Sequence, residues 1–194
     1  MSHKICTRKG VFIALMLVSI PVCRAENTEF SLTRDFSEGN LRMELLSTSG
    51  IWGNQWPQHE EDYFIIGSVE YEWPIHPHSS FSLRGYPLFF YNRHRTDKLD
   101  SKNVYGVAFG PALRVYQETN KTGFFAEFGS SALWHSNYLP GNGSKLNFIS
   151  DIGFGYQLNE NVSICAKYFH LSNAGLDELN SGFDALAITV GYRF

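Results

Sequence analysis

One stretch near the C-terminus carries residue types suited to acyl transfer. It reads Tyr168-Phe169-His170-Leu171-Ser172-Asn173-Ala174-Gly175, followed by Asn180, Gly182 and Asp184. A hydroxyl nucleophile needs a base to take its proton and an acid to orient the imidazole. Ser172, His170 and Asp184 are those three types. On an extended chain, residues two apart share a face and lie ~6–7 Å apart, so His170 and Ser172 point the same way within reach of each other. The Asn173 amide, beside the nucleophile, suits a developing oxyanion. Main-chain N–H groups at Ala174 or Gly175 are a second donor, since glycine lets the backbone approach closely. The plainer reading is a His and a Ser on a strand followed by an ordinary Ser-Asn-Ala-Gly turn. What positions these residues decides between the two.

The positioning elements read as strands. Period-2 segments lie near 41–50, 63–73, 81–91, 103–116, 123–134, 145–157, 161–172 and 183–194, with turn-rich breaks between them. In the last, Leu186, Ile188, Val190, Tyr192 and Phe194 share one face; Ala185, Ala187, Thr189, Gly191 and Arg193 share the other. The seventh sets Val162, Ile164, Ala166 and Tyr168 against Ser163, Cys165 and Lys167. A β-sandwich facing water and a barrel facing lipid both fit this pattern. In a barrel the polar face lines the lumen, where Arg42, Glu44, Glu70, Glu72, Arg84, Arg114, Glu127, Asp151, Lys167 and Arg193 can pair as five acids and five bases. In a sandwich they form the solvated face.

Loop lengths separate the two. The gaps alternate long and short: 51–62, 92–102 and 135–144 are long, whereas 74–80, 117–122 and 158–160 are short. Outer-membrane barrels have short periplasmic turns and longer extracellular loops. Eight strands of ~10 residues make the smallest common barrel. The chain also ends on Phe194, with Tyr192 on the same face, which resembles the C-terminal aromatic signature of outer-membrane barrels. The expected fold is all-β: an eight-stranded antiparallel transmembrane β-barrel of the outer membrane.

Composition agrees. Of 194 residues, 43% are hydrophobic, 15% aromatic and 18% charged, against about 25% charged in soluble domains. Sixteen Phe, 10 Tyr and 4 Trp argue against disorder. The longest apolar run, Val11 to Val18, is too short for a spanning helix of ~20 residues. That run follows Lys4, Arg8 and Lys9 and precedes Cys23-Arg24-Ala25, the layout of a secretory signal peptide cut after Ala25. Val22 is a poor residue before a lipidated Cys23, so acylation there is the weaker alternative. Cleavage leaves a barrel domain of 26–194 with 12 basic and 19 acidic residues, a net charge of −7 that argues against nucleic acid. Only Cys165 remains, so no internal disulfide forms. For a bacterial export signal, the Asn-x-Ser/Thr matches at Asn120, Asn142 and Asn161 are chance.

The barrel also orients the chemical stretch. His170 and Ser172 share parity with Val162, Ile164 and Tyr168, the lipid-facing set, and Asp184 shares that of Leu186 and Ile188. If His170 opposes Asp184 across the hairpin, residue 160 opposes 194 and both strands finish at the periplasmic rim. The three residues then converge on the outer wall near its extracellular end. Near the interface the penalty for a charge falls to ~0–1 kcal/mol. The other His–Ser pair, His135-Ser136, cannot cooperate while extended, because neighbours face opposite ways. His59, His76, His78 and His94 lie in loops without a closed zinc set, so neither a metal nor a cofactor is expected.

His170-x-Ser172-Asn173-Ala174-Gly175, then Asn180-x-Gly182-x-Asp184 and a closing Gly191-Tyr192-Arg193-Phe194, resemble the lipid A 3-O-deacylases of the PagL type. The motif covers the last ~27 residues, while size, signal peptide and strand rhythm agree elsewhere. The resemblance implies an eight-stranded outer-membrane barrel with a Ser–His–acid triad on its outer surface. It implies hydrolysis, without a metal, of the ester-linked 3-hydroxyacyl chain at the 3-position of lipid A. By position Ser172 is the nucleophile, His170 the base, Asn173 an oxyanion donor and Asn180 a structural loop residue. Better-known members carry Glu where this chain has Asp184. An acid one methylene shorter needs a closer backbone or a water, with Glu178 as the fallback. Expected partners are lipopolysaccharide and outer-membrane lipids, and a homodimer is left open; Arg93, Arg95, Lys98 and Lys102 either meet lipopolysaccharide phosphates or, with Asp97 and Asp100, form a solvated loop. Two rivals stand: another lipid-active barrel (phospholipase or acyltransferase), and a non-enzymatic structural or adhesion barrel.

Overall fold

The computed structural model describes residues 39–49, 51–52, 62–92, 103–139 and 141–194. The expected signal segment 1–25, the basic loop residues Arg93, Arg95, Lys98 and Lys102, and His59 and His94 lie outside them. The strands are β1 (Asn40–Ser49), β2 (Ile51–Trp52), β3 (Tyr63–His76), β4 (Ser79–Asn92), β5 (Asn103–Tyr116), β6 (Gly123–His135), β7 (Leu146–Gln157), β8 (Val162–Ser172) and β9 (Phe183–Arg193). Ser47 pairs with Ile188 but Ile51 with Ala185, a one-residue offset. β2 therefore continues β1 in a single stave. Eight antiparallel staves close through the β1–β9 ladder, and closure leaves no unpaired edge.

The expected break at 74–80 is narrower than its composition suggests. β3 runs through Pro74 to His76, and Pro77-His78 alone make the turn. The ladder shifts register between Pro74 and His76. A proline has no N–H to give, and such an irregularity is where a sheet tolerates one. The remaining staves lie within a few residues of their expected positions.

Alternation sets the two faces. Along β7, Asn147, Ile149, Asp151 and Gln157 are buried while Ile152, Phe154 and Tyr156 are exposed. The exposed outer wall includes Leu45, Val107, Phe109, Leu186, Ile188 and Val190, an apolar band of the kind that faces lipid. Aromatic residues flank it. Phe81, Phe124, Tyr156, Tyr192 and Phe194 stand at the end holding the short turns; Tyr63, Tyr105, Trp134 and Tyr138 stand at the end holding the long loops. The molecule is an outer-membrane β-barrel.

The lumen is filled in two layers. Toward the short turns, the ten charged residues expected inside are mutually paired. Arg84 contacts Glu70, Glu127 and Asp151; Arg114 contacts Glu44, Glu72 and Glu127; Lys167 contacts Glu44 and Glu127; Arg42 and Arg193 meet Glu72. Toward the long loops, Phe64, Ile66, Phe89, Tyr91, Leu133, Ile149, Phe169 and Phe183 form a dry plug. That plug lies directly behind the wall carrying His170 and Asp184.

Candidate active site

The β8–β9 ladder opposes His170 to Asp184 and Val162 to Tyr192. Because the register is direct, the shorter carboxylate reaches the imidazole without a water: His170 Nδ1 donates to Asp184 Oδ1 at 2.8 Å. A carboxylate only accepts, so Nδ1 carries the proton and Nε2 is left as the basic nitrogen. The Tyr168 hydroxyl donates to the same Oδ1 at 2.6 Å. The His170 side chain is 46% exposed and that of Asp184 19%, so the pair stands on the outer wall. Glu178 is exposed in the 173–182 loop; the carboxylate that orients His170 is Asp184.

Ser172 ends β8 on the same face, one pleat above His170. Gly182 brings the two together. A Cβ built there would stand 3.4 Å from His170 Cε1 and 3.6 Å from Ser172 Cβ, and its φ is +57°. A larger residue would be strained by that φ, while its Cβ would meet both side chains at ordinary contact distance. On the other side of Ser172 the chain leaves the sheet through Ala174 and Gly175, at φ +54° and +83°. Ala174 is a non-glycine residue held in the left-handed region, where strain at functional sites concentrates.

The donors expected of Asn173 and Gly175 are engaged inside this loop. Asn173 is fully buried. Its Nδ2 donates to Leu179 O at 2.9 Å and to Asn142 Oδ1 at 3.0 Å. Its Oδ1 accepts from Gly175 N, and its own N–H donates to Asn180 Oδ1, both at 2.9 Å. Each of these donors has an acceptor within the loop. Asn180 Oδ1 accepts from the Asn173 N–H, which seats the Asn180 amide against the Ser172–Asn173 peptide.

Sequence reasoning placed Tyr168 on the correct face without seeing its part; parity with His170 was the available signal. It missed Asn142, from the preceding long loop, and Asn147, near the start of β7. His135 and Ser136 go separate ways, as expected. His135 is buried against Asn147, and Ser136 Oγ accepts from the Tyr105 N–H at 3.1 Å. His76 and His78 have ring nitrogens on the His78 N–H and near the Tyr116 carbonyl. Among the described residues, Glu44, Glu70 and Glu127 bring carboxylate oxygens within 4.8 Å of one another, as a metal site would. Arg84, Arg114 and Lys167 already neutralise them.

Solved structures share the fold. The outer membrane enzyme PagL superposes with a TM-score of 0.57 at 16% identity, covering 77% of this chain and 97% of that one. Neisserial surface protein A gives 0.53 at 14% identity over 80% and 97%. In sequence, the lipid A deacylase PagL of Bordetella bronchiseptica is 40% identical over 52 residues. That segment spans 27% of this chain and 29% of the relative's length. The family described as lipid A 3-O-deacylase (PagL) matches residues 62–193, every stave but the first. With more than half the chain so matched, this protein belongs to the lipid A 3-O-deacylase (PagL) family.

Proposed function

We propose that this chain is an outer-membrane esterase that removes the ester-linked 3-hydroxyacyl chain at the 3-position of lipid A, exported by residues 1–25. The observation that carries the reading is the His170–Asp184 contact on the lipid-facing wall, beside Ser172, at the loop end of the barrel. A bilayer lipid with its chains against the wall brings its ester to that height without leaving the membrane.

The reaction runs in two steps. His170 Nε2 takes the Ser172 proton as Oγ attacks the ester carbonyl, and Asp184 steadies the resulting imidazolium through Nδ1–H. The oxyanion meets the Asn180 Nδ2 group, whose orientation is set because its Oδ1 holds the Asn173 N–H. His170 returns the proton to the departing sugar oxygen, leaving the acyl chain on Ser172. Water, deprotonated by the same nitrogen, then cleaves the acyl-enzyme and frees the hydroxy acid.

The test is a mass spectrum of lipid A from a Gram-negative host expressing the wild type or Ser172→Ala, both confirmed as folded in the outer membrane. Loss of one 3-hydroxyacyl chain in the wild type alone is expected, with the variant's rate down at least ~10³-fold. Unchanged spectra from both would overturn the reading, and a newly acylated lipid would identify a transferase.

A further inference from the structure

Five residues from the β6–β7 and β8–β9 hairpins form one directional chain of hydrogen bonds, buried from His135 to Asn173, that ends at the exposed Asn180. His135, at the end of β6, donates through Nδ1 to the Asn137 carbonyl at 2.6 Å. Its Nε2 therefore accepts from Asn147 Nδ2. The same Nδ2 donates to the Ser144 carbonyl at 3.0 Å. Asn147 Oδ1 accepts from Asn142 Nδ2 at 2.6 Å, and Asn142 Oδ1 accepts from Asn173 Nδ2 at 3.0 Å. Asn173, through its own N–H, holds Asn180 Oδ1.

Main-chain groups fix every orientation along it. The Leu179 carbonyl and the Gly175 N–H set the Asn173 amide. The Ser144 N–H, at 3.4 Å, sets Asn142. The Ser144 and Asn137 carbonyls set Asn147 and His135. No amide can turn over without placing two donors or two acceptors face to face. His135, Asn147 and Asn173 are at most 1% exposed and Asn142 5%. A buried polar network whose members are all satisfied is rigid, and breaking one link is costly. The backbones are tied as well. Asn142 and Asn180 form an isolated antiparallel bridge. Gly143 N–H donates to Leu179 O at 2.8 Å, and Ser181 N–H to Gly141 O at 2.9 Å.

We infer that Asn142 is a positioning residue for the reaction: it carries the order of the β6–β7 loop into the β8–β9 loop, and so aims the Asn180 amide at the oxyanion beside Ser172. The inference rests on the functional reading above. It also gives a purpose to an Asn-x-Ser match that, for its sequence alone, reads as chance.

The experiment uses the full-length barrel, refolded in detergent, with purified lipid A as substrate. Folding is checked by its mobility on an unboiled gel. Asn142→Leu removes both links, and kcat is expected to fall about tenfold or more while KM stays within about twofold, since an oxyanion donor acts in the transition state. Asn142→Asp keeps the acceptor for Asn173. Its carboxyl, when protonated, can also restore the donor to Asn147, so its rate relative to wild type at the same pH should rise as pH falls. A purely structural role would give neither the kcat-only loss nor that pH-dependent rescue. Folded Asn142→Leu with kcat within twofold of wild type, or Asn142→Asp with a flat ratio across pH, would overturn the inference. Ser172→Ala run alongside separates the two readings. If that variant is fully active, the functional reading falls; if it is inactive while both Asn142 variants match wild type, only this inference does.

Discussion

Carboxylates stand both inside this barrel and on its outer wall, and they differ in what surrounds them. Inside, Glu127 meets Arg84, Arg114 and Lys167 together, and Glu72 meets Arg42, Arg114 and Arg193. Outside, Asp184 takes one donor from His170 and one from Tyr168, and His170 Nε2 is left uncommitted among the described residues. A charge withdrawn from water survives only if it is paired and hydrogen-bonded, so every lumen carboxylate meets at least one cation and these pairs tie the staves together. On the rim, water and head groups share the work of solvation, and a polar set can remain incomplete. The incomplete set is the one proposed to carry the chemistry.

Exchanging one group in each region tests the contrast. The largest effect is expected for Asp184→Asn, which removes the charge and offers His170 Nδ1 an amide donor that can hold the wrong tautomer. The rate of deacylation should drop by about 10³–10⁴-fold with the urea midpoint of unfolding unchanged. Glu127→Ala should do the reverse. Three cations lose a shared partner, costing about 3–5 kcal/mol by analogy with other broken buried pairs, read as a lower urea midpoint in lipid vesicles. Whatever folds should cleave lipid A at close to the wild-type rate, because the dry plug and the outer wall lie above the change. Tyr168→Phe should be the mildest. Losing one of two donors to Asp184 is worth about 0.5–1.5 kcal/mol, a severalfold fall in kcat/KM with full folding. A Tyr168→Phe rate as low as that of Asp184→Asn would mean that the two donors act as one unit.

The parts of this protein legible in the sequence are those governed by a period of two. Which residues of β8 and β9 face lipid, and that Asp184 falls opposite His170, follow from parity and from two strands ending together at the rim. The ten lumen charges are legible for the same reason, since a closed barrel offers an alternating residue only two faces. The division of the lumen into ionic and apolar layers is not legible in this way, although the apolar residues sit at the loop ends of their strands. It depends on depth along the barrel, which emerges only when eight staves are aligned.

The loops obey no such rule. Asn173 beside a nucleophilic serine reads as an oxyanion donor, because adjacency is all that a linear order supplies. The acceptors that its amide meets in the fold, Leu179 O and Asn142 Oδ1, arrive from six and 31 residues away. Sequence alone determined the barrel, the lipid-facing wall and the three residues that share its rim, since pleat and hairpin geometry leave little freedom. Only the tertiary structure decided which donors are engaged and which are free. Hydrogen-bond partners in loops are set by how separate segments meet in space, and no local periodicity encodes that meeting.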